Sequence, residues 1–80
     1  MTVDIKRMYE VKTKEKKVVV SEDDILNFLY TDRDIKRSVV GRLLGYNDGY
    51  FKLDTSLNYR KSEEKIFYLN ITDINIIEKN

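Results

Sequence analysis

The order of hydrophobic and polar positions along the chain predicts mostly strands. In residues 3–11 the odd positions are Val3, Ile5, Arg7, Tyr9 and Val11 and the even ones Asp4, Lys6, Met8 and Glu10. This period of two predicts a half-buried strand. Residues 12–17 are polar and basic, and the β-branched Val18-Val19-Val20 follows them, so a hairpin returning through that loop is expected. Ser21 then precedes Glu22, Asp23 and Asp24, an acceptor side chain followed by acids in a Ser-x-x-Asp spacing that suits a helix start. Ile25 with Leu29 and Leu26 with Tyr30 sit four apart, which predicts one short helix over 25–29 that ends at Thr31-Asp32-Arg33-Asp34.

Residues 35–44 fit two periods. Ile35, Val39, Val40, Leu43 and Leu44 follow helical spacing, and a helix there would make a helix-turn-helix of 21–44. It would also enclose Gly41 beside two valines, at about 1 kcal/mol relative to alanine, so a strand over 38–46 is preferred. Asn47-Asp48-Gly49 tolerates the positive φ angles of a tight hairpin. It is expected to join that strand to an alternating one over 50–55, with Phe51 and Leu53 on one face. Residues 54–64 read as a polar loop. Strands over 65–71 and 74–78, parted by Thr72-Asp73, complete the chain, with Phe67, Leu69 and Ile71 inward and Phe51, Leu53, Phe67 and Leu69 in the core.

Eighty residues suit one small domain, 1–80. With 41% hydrophobic and 36% charged residues, enough apolar side chains remain for a core, which excludes wholesale disorder. No cysteine or histidine is present, removing thiol nucleophiles, imidazole bases and thiolate or imidazole metal sites. Without a Gly-rich phosphate loop or a serine elbow either, no enzyme and no cofactor is expected. The charge of +1 gives no general attraction to nucleic acid or anionic lipid. No apolar run approaches the roughly 20 residues of a membrane span, and the charged N-terminus lacks a signal-peptide core. A cytoplasmic protein with no membrane partner is expected. Abundant Lys, Ile and Asn with no Ala, Pro or Gln suggest AT-rich codons, as in a low-GC bacterium, its phages or its mobile elements.

Residues 39–54, Val39-Val40-Gly41-Arg42-Leu43-Leu44-Gly45-Tyr46-Asn47-Asp48-Gly49-Tyr50-Phe51-Lys52-Leu53-Asp54, resemble the first motif of Sm-like proteins. The likeness lies in a glycine that lets a strand bend, alternating leucines, a Gly-Tyr pair, an Asn or Asp turn and an apolar strand ending in Asp. It covers about a fifth of the chain, and other SH3-like barrels use the same hairpin. Phe51 stands where the family tends to place a base-contacting Asn, and no second motif of a basic residue before Gly follows in 65–71. The resemblance implies a mainly β, small and strongly bent antiparallel barrel of SH3/Sm-like type, here with an N-terminal hairpin and the one short helix.

Two functions from different classes follow. The first is a non-catalytic interaction or assembly module that pairs strands with itself or a protein partner, because the last strand carries apolar residues on both faces and ends the chain's pattern. Its pairing edge is Ile74, Ile76 and Ile77. The alternative is nucleic-acid binding, Sm-like or helix-turn-helix-like, on a surface of Arg42, Tyr46, Asn47, Tyr50 and Lys52 where bases would stack and phosphates pair. Lys12, Lys14, Lys16 and Lys17, interrupted by Glu15, read as a solvated hairpin tip, and Glu22, Asp23 and Asp24 as a cap rather than a cation site.

Overall fold

A computed structural model of the chain describes residues 5–56 and 63–80. Its elements are β1 (Met8–Lys12), β2 (Lys17–Ser21), β3 (Ile25–Asp32), β4 (Ile35–Asn47), β5 (Tyr50–Asp54), β6 (Glu63–Phe67), a single 3-10 turn (Tyr68–Asn70) and β7 (Ile71–Glu78). β1 and β2 form an antiparallel hairpin, and the other five form one antiparallel sheet in the order β6-β5-β4-β3-β7. The chain is therefore mainly β, as its alternation predicts. Among the described residues no helix is long and apolar enough to cross a membrane.

Turn chemistry fixes the connections. Asp48 and Gly49 take φ 50° and 87° between the paired Asn47 and Tyr50, the two-residue hairpin that Asn-Asp-Gly predicts. Arg33 and Asp34 do the same between Asp32 and Ile35, at φ 49° and 66°, with no glycine to relieve the strain. The basic loop after Lys12 closes through the Thr13 N–H, which donates to the Lys16 carbonyl at 2.8 Å.

Alternation then sorts the sheet into two faces. Leu26 and Phe28 on β3, Val39 and Leu43 on β4, Phe51 and Leu53 on β5, Ile66 on β6 and Ile74 on β7 are buried on one face, where Val11 and Val20 of the hairpin cover them. The opposite face carries Arg42, Tyr50, Lys52 and Asp54. β4 is long enough to serve two partners, pairing with β3 through residues 35–42 and with β5 through 42–47, with a bulge at Leu44. At the crossover a Cβ on Gly41 would stand 2.8 Å from the Asp54 carbonyl oxygen and 3.2 Å from Leu53 Cβ. Glycine is thus required there for close approach of two backbones. The sheet curls enough that Tyr30 and Asp32 of β3 share a cleft with Glu64, Lys65 and Phe67 of β6, although two strands lie between them. Among the described residues it stays open, because β6 and β7 are its two edges and do not pair with each other. The mainly β antiparallel part of the expectation is what the sheet shows, and its curl does not close into a barrel.

Four expectations are corrected. The helix over 25–29 is strand β3, since Leu26 and Phe28 alternate around Asn27 and pair on both sides with β4 and β7. The Ser-x-x-Asp contact is nevertheless made: the Ser21 N–H donates to Asp24 Oδ2 at 2.9 Å, closing a turn in which Asp23 has φ 73°. Phe67 and Leu69 are not core. Register sets Ile66 opposite Phe51 and Phe67 opposite Tyr50, so Phe67 lies on the outer face at 52% exposure, and Leu69 projects from the 3-10 turn at 94%. The break between the last two strands is that turn rather than Thr72-Asp73, and the first strand starts at Met8. Most of the loop expected over 54–64 lies outside the described residues.

Candidate functional site

The five residues expected to form one surface are divided by the pleat. Arg42, Tyr50 and Lys52 share the outer face, where Arg42 Nη2 meets Asp54 Oδ2 at 3.0 Å and Lys52 Nζ meets Glu63 Oε2 at 3.7 Å. Tyr50 stacks edge-on against Phe67 at 5.7 Å between centroids, with Lys65 Nζ 5.1 Å above its ring. The Ser56 N–H and hydroxyl, and then Arg42, hold the Asp54 carboxyl below its ordinary value despite partial desolvation. Tyr46 is opposite Phe51 and belongs to the inner face, while Asn47 is exposed at the turn.

Tyr46 joins residues the sequence did not single out. Its ring lies 4.9 Å from Phe51 and 6.1 Å from Tyr9, and Phe51 contacts Tyr68 at 6.4 Å. With Met8 and Glu10 these rings line an open groove of ≈ 360 Å³ beside β1. Phe51, 2% exposed, is its floor. Tyr9 brings its hydroxyl to Glu22 Oε1 at 3.5 Å, and Lys17 Nζ meets Glu10 Oε1 at 2.9 Å. The signal that could have found the groove is Tyr9 in phase with Val11 on a strand whose partner covers the sheet, but the pairing of Tyr9 with Tyr46 depends on long-range packing.

The pairing edge expected at Ile74, Ile76 and Ile77 lies on β7, which among the described residues has β3 as its one neighbour. Ile74 is fully buried, whereas Ile76 and Ile77 are 36% and 59% exposed. Hydrogen-bond phase identifies the free side. The Ile74 N–H turns away from β3 and donates to Asp73 Oδ1 at 2.8 Å, so two residues on, Ile76 also directs its N–H and C=O outward. Lys16 crosses from the hairpin to meet Asp73 Oδ1 at 3.0 Å and Asn75 Oδ1 at 3.1 Å. That contact and the Ile74 N–H hold the Asp73 carboxyl below its usual value, against desolvation. The first half of the edge is thereby guarded and the second half open.

The acids 22–24 serve the fold. Asp24 is fully buried, and its carboxylate accepts from the Ser21 N–H and hydroxyl at 2.9 and 3.2 Å and from the Asn80 N–H at 2.9 Å. Burial opposes its ionisation, but these bonds and nearby Lys79 outweigh it and keep the pKa below 3.8. Among the described residues no group of three acids is placed to hold a metal ion. Neither a family model, nor a curated protein, nor a solved structure matches this chain.

Proposed function

We propose that this chain is a non-catalytic interaction module that works by strand pairing at the open half of β7, with a second copy as the simplest partner. One observation carries the reading: among the described residues β7 is an edge strand whose pairing phase turns the Ile76 N–H and C=O away from β3, and its neighbour Ile77 is exposed. An antiparallel two-fold pairing centred on Ile76 would set Ile76 against itself, Asn75 against Ile77 and Asp73 against Lys79 of the second copy. The Asp73 carboxylates, each already bridged to Lys16 of its own chain, then gain Lys79 of the second copy at both ends of the interface, the self-complementarity that an isologous contact requires. The strand order supports the finer reading of an SH3/Sm-like small-barrel fold, because the last strand returns to pair with the first of five consecutive strands.

Nucleic-acid binding is the less favoured reading, since Arg42 and Lys52 already face Asp54 and Glu63 and the two tyrosines lie on opposite faces. Light scattering of the wild type and of Ile76→Lys tests the proposal. The wild type is expected to gain mass with concentration, and the variant to stay a folded monomer. A monomeric wild type at high micromolar concentration would overturn self-pairing, and a low-salt gel shift reversed by salt would favour the alternative.

A further inference from the structure

Among the described residues β1 carries a second free edge, and its hydrogen-bond phase is legible. The Glu22 N–H donates to the Arg7 carbonyl at 3.0 Å and the Thr13 N–H to the Lys16 carbonyl at 2.8 Å, so the odd residues of β1 turn toward β2 in the register that pairs Tyr9 with Val20. Met8, Glu10 and Lys12 therefore direct N–H and C=O away from β2. Lys12 is already answered there: its N–H donates to the Tyr68 hydroxyl, which donates back to its carbonyl, both at 3.3 Å. Met8 and Glu10 open on the groove floored by Phe51 and walled by Tyr9, Tyr46 and Tyr68.

We infer that this groove is a docking site for an extended peptide segment of another protein, which enters as a third strand beside β1. Two backbone donor and acceptor pairs with a strand's repeat, continued by a hydroxyl that mimics the next, match an extended main chain. A peptide residue level with Tyr9 directs its side chain to Tyr9's face, onto Phe51 between Tyr46 and Tyr68, and a large apolar group fills that space. The charge around the groove selects the flanking residues. Its lining holds Glu10 and no cation. Residues beside the apolar anchor point to the opposite pleat face, which carries the half-exposed Glu10 carboxylate, met by Lys17 from the β2 side. A basic residue beside the apolar anchor complements it. This site uses a different edge from β7, so either can stand without the other.

The test uses an end-capped peptide, Lys-Val-Lys-Phe-Lys-Val-Lys, added to labelled full-length chain and followed by amide shifts and hydrogen exchange. The Met8 and Glu10 amides are expected to slow by about tenfold or more in excess peptide, with shifts at Tyr46 and Tyr68. Glu10→Pro removes one outward N–H at a position where an edge strand accepts proline, and it is expected to abolish binding, whereas Glu10→Gln retains it. Tyr46→Ala is expected to weaken binding about tenfold. Unchanged exchange at Met8 and Glu10 in millimolar peptide would overturn the inference, as would a folded Glu10→Pro variant that binds like wild type. The wild-type exchange result decides alone if that variant does not fold.

Discussion

Replacing Asp24 by alanine removes a carboxylate that ties Ser21, at the end of β2, to the backbone at Asn80, and leaves the residue's backbone carbonyl in place. That carbonyl accepts the Leu43 N–H at 2.9 Å from the middle of β4. The Asn80 N–H lies in an exposed residue, and water replaces its lost partner. Ser21 is 7% exposed, so its N–H is left without an acceptor, at about 1–3 kcal/mol, and its charge-assisted bond is lost as well. Relief from burying a carboxylate offsets part of this. The net expectation is about 3 kcal/mol, a large share of the roughly 4–12 kcal/mol typical for a chain of this size. In urea, at about 1 kcal/mol per molar, the midpoint followed by circular dichroism should fall by about 3 M. Asp24→Asn keeps the shape but turns an amide NH2 toward at least one donor, and should cost about half as much or more. The acid limb supplies an independent readout. The folded pKa of Asp24 lies below 3.8, so the unfolded chain takes up the proton first as pH falls. The stability from Asp24 is full above that ordinary value, is lost as pH drops through the folded value, and leaves a shallower acid limb in Asp24→Ala. Midpoints of both variants within about 0.3 M of wild type would refute the reasoning.

Phe51→Ala should cost about 3–5 kcal/mol and Phe67→Ala less than about 1 kcal/mol, because Phe51 is 2% exposed and Phe67 52%; equal midpoint shifts in urea would contradict the β5–β6 register. Gly41→Ala should cost about 1–3 kcal/mol by forcing β4 off the Asp54 carbonyl, visible as a lower thermal midpoint. The turn of Arg33 and Asp34 at positive φ should be relieved by Arg33→Asn with Asp34→Gly, raising stability by about 1 kcal/mol in the same assay.

Where local chemistry alone fixed the conformation, the sequence was readable. Asn47-Asp48-Gly49 demanded a hairpin, the alternation of Tyr9 and Val11 marked a strand, and Gly41 weighed for a bent strand over a helix. Residues 21–30 misled because one hydrogen bond, Ser21 to Asp24, serves a helix cap and a strand-to-strand turn alike. In addition, Ile25, Leu26, Phe28, Leu29 and Tyr30 satisfy both periods. Phe67 misled because Ile66-Phe67-Tyr68-Leu69 has no polar residue to fix its phase, which comes instead from pairing with β5. The exposure of Ile76 and Ile77 was readable, since a last strand apolar on both faces has nowhere to hide them. The groove was not, because Tyr9, Tyr46, Phe51 and Tyr68 meet only when the hairpin lies on the sheet. The bulge at Leu44, which the pattern does not reveal, helps set the face that Tyr46 shares with Phe51 while Arg42 lies on the other.

The central claim, that the open half of β7 pairs with a second copy, is tested most directly by amide exchange of residues 73–78 as a function of protein concentration. Asn75 alternates with Ile74 and Ile76 and bonds to β3, so its N–H should be protected at every concentration. The Ile76 N–H, which faces outward, should exchange freely when dilute and become protected as concentration rises, while Ile76→Lys shows no such rise. An Ile76 amide whose exchange is the same at low and high micromolar protein would contradict the account.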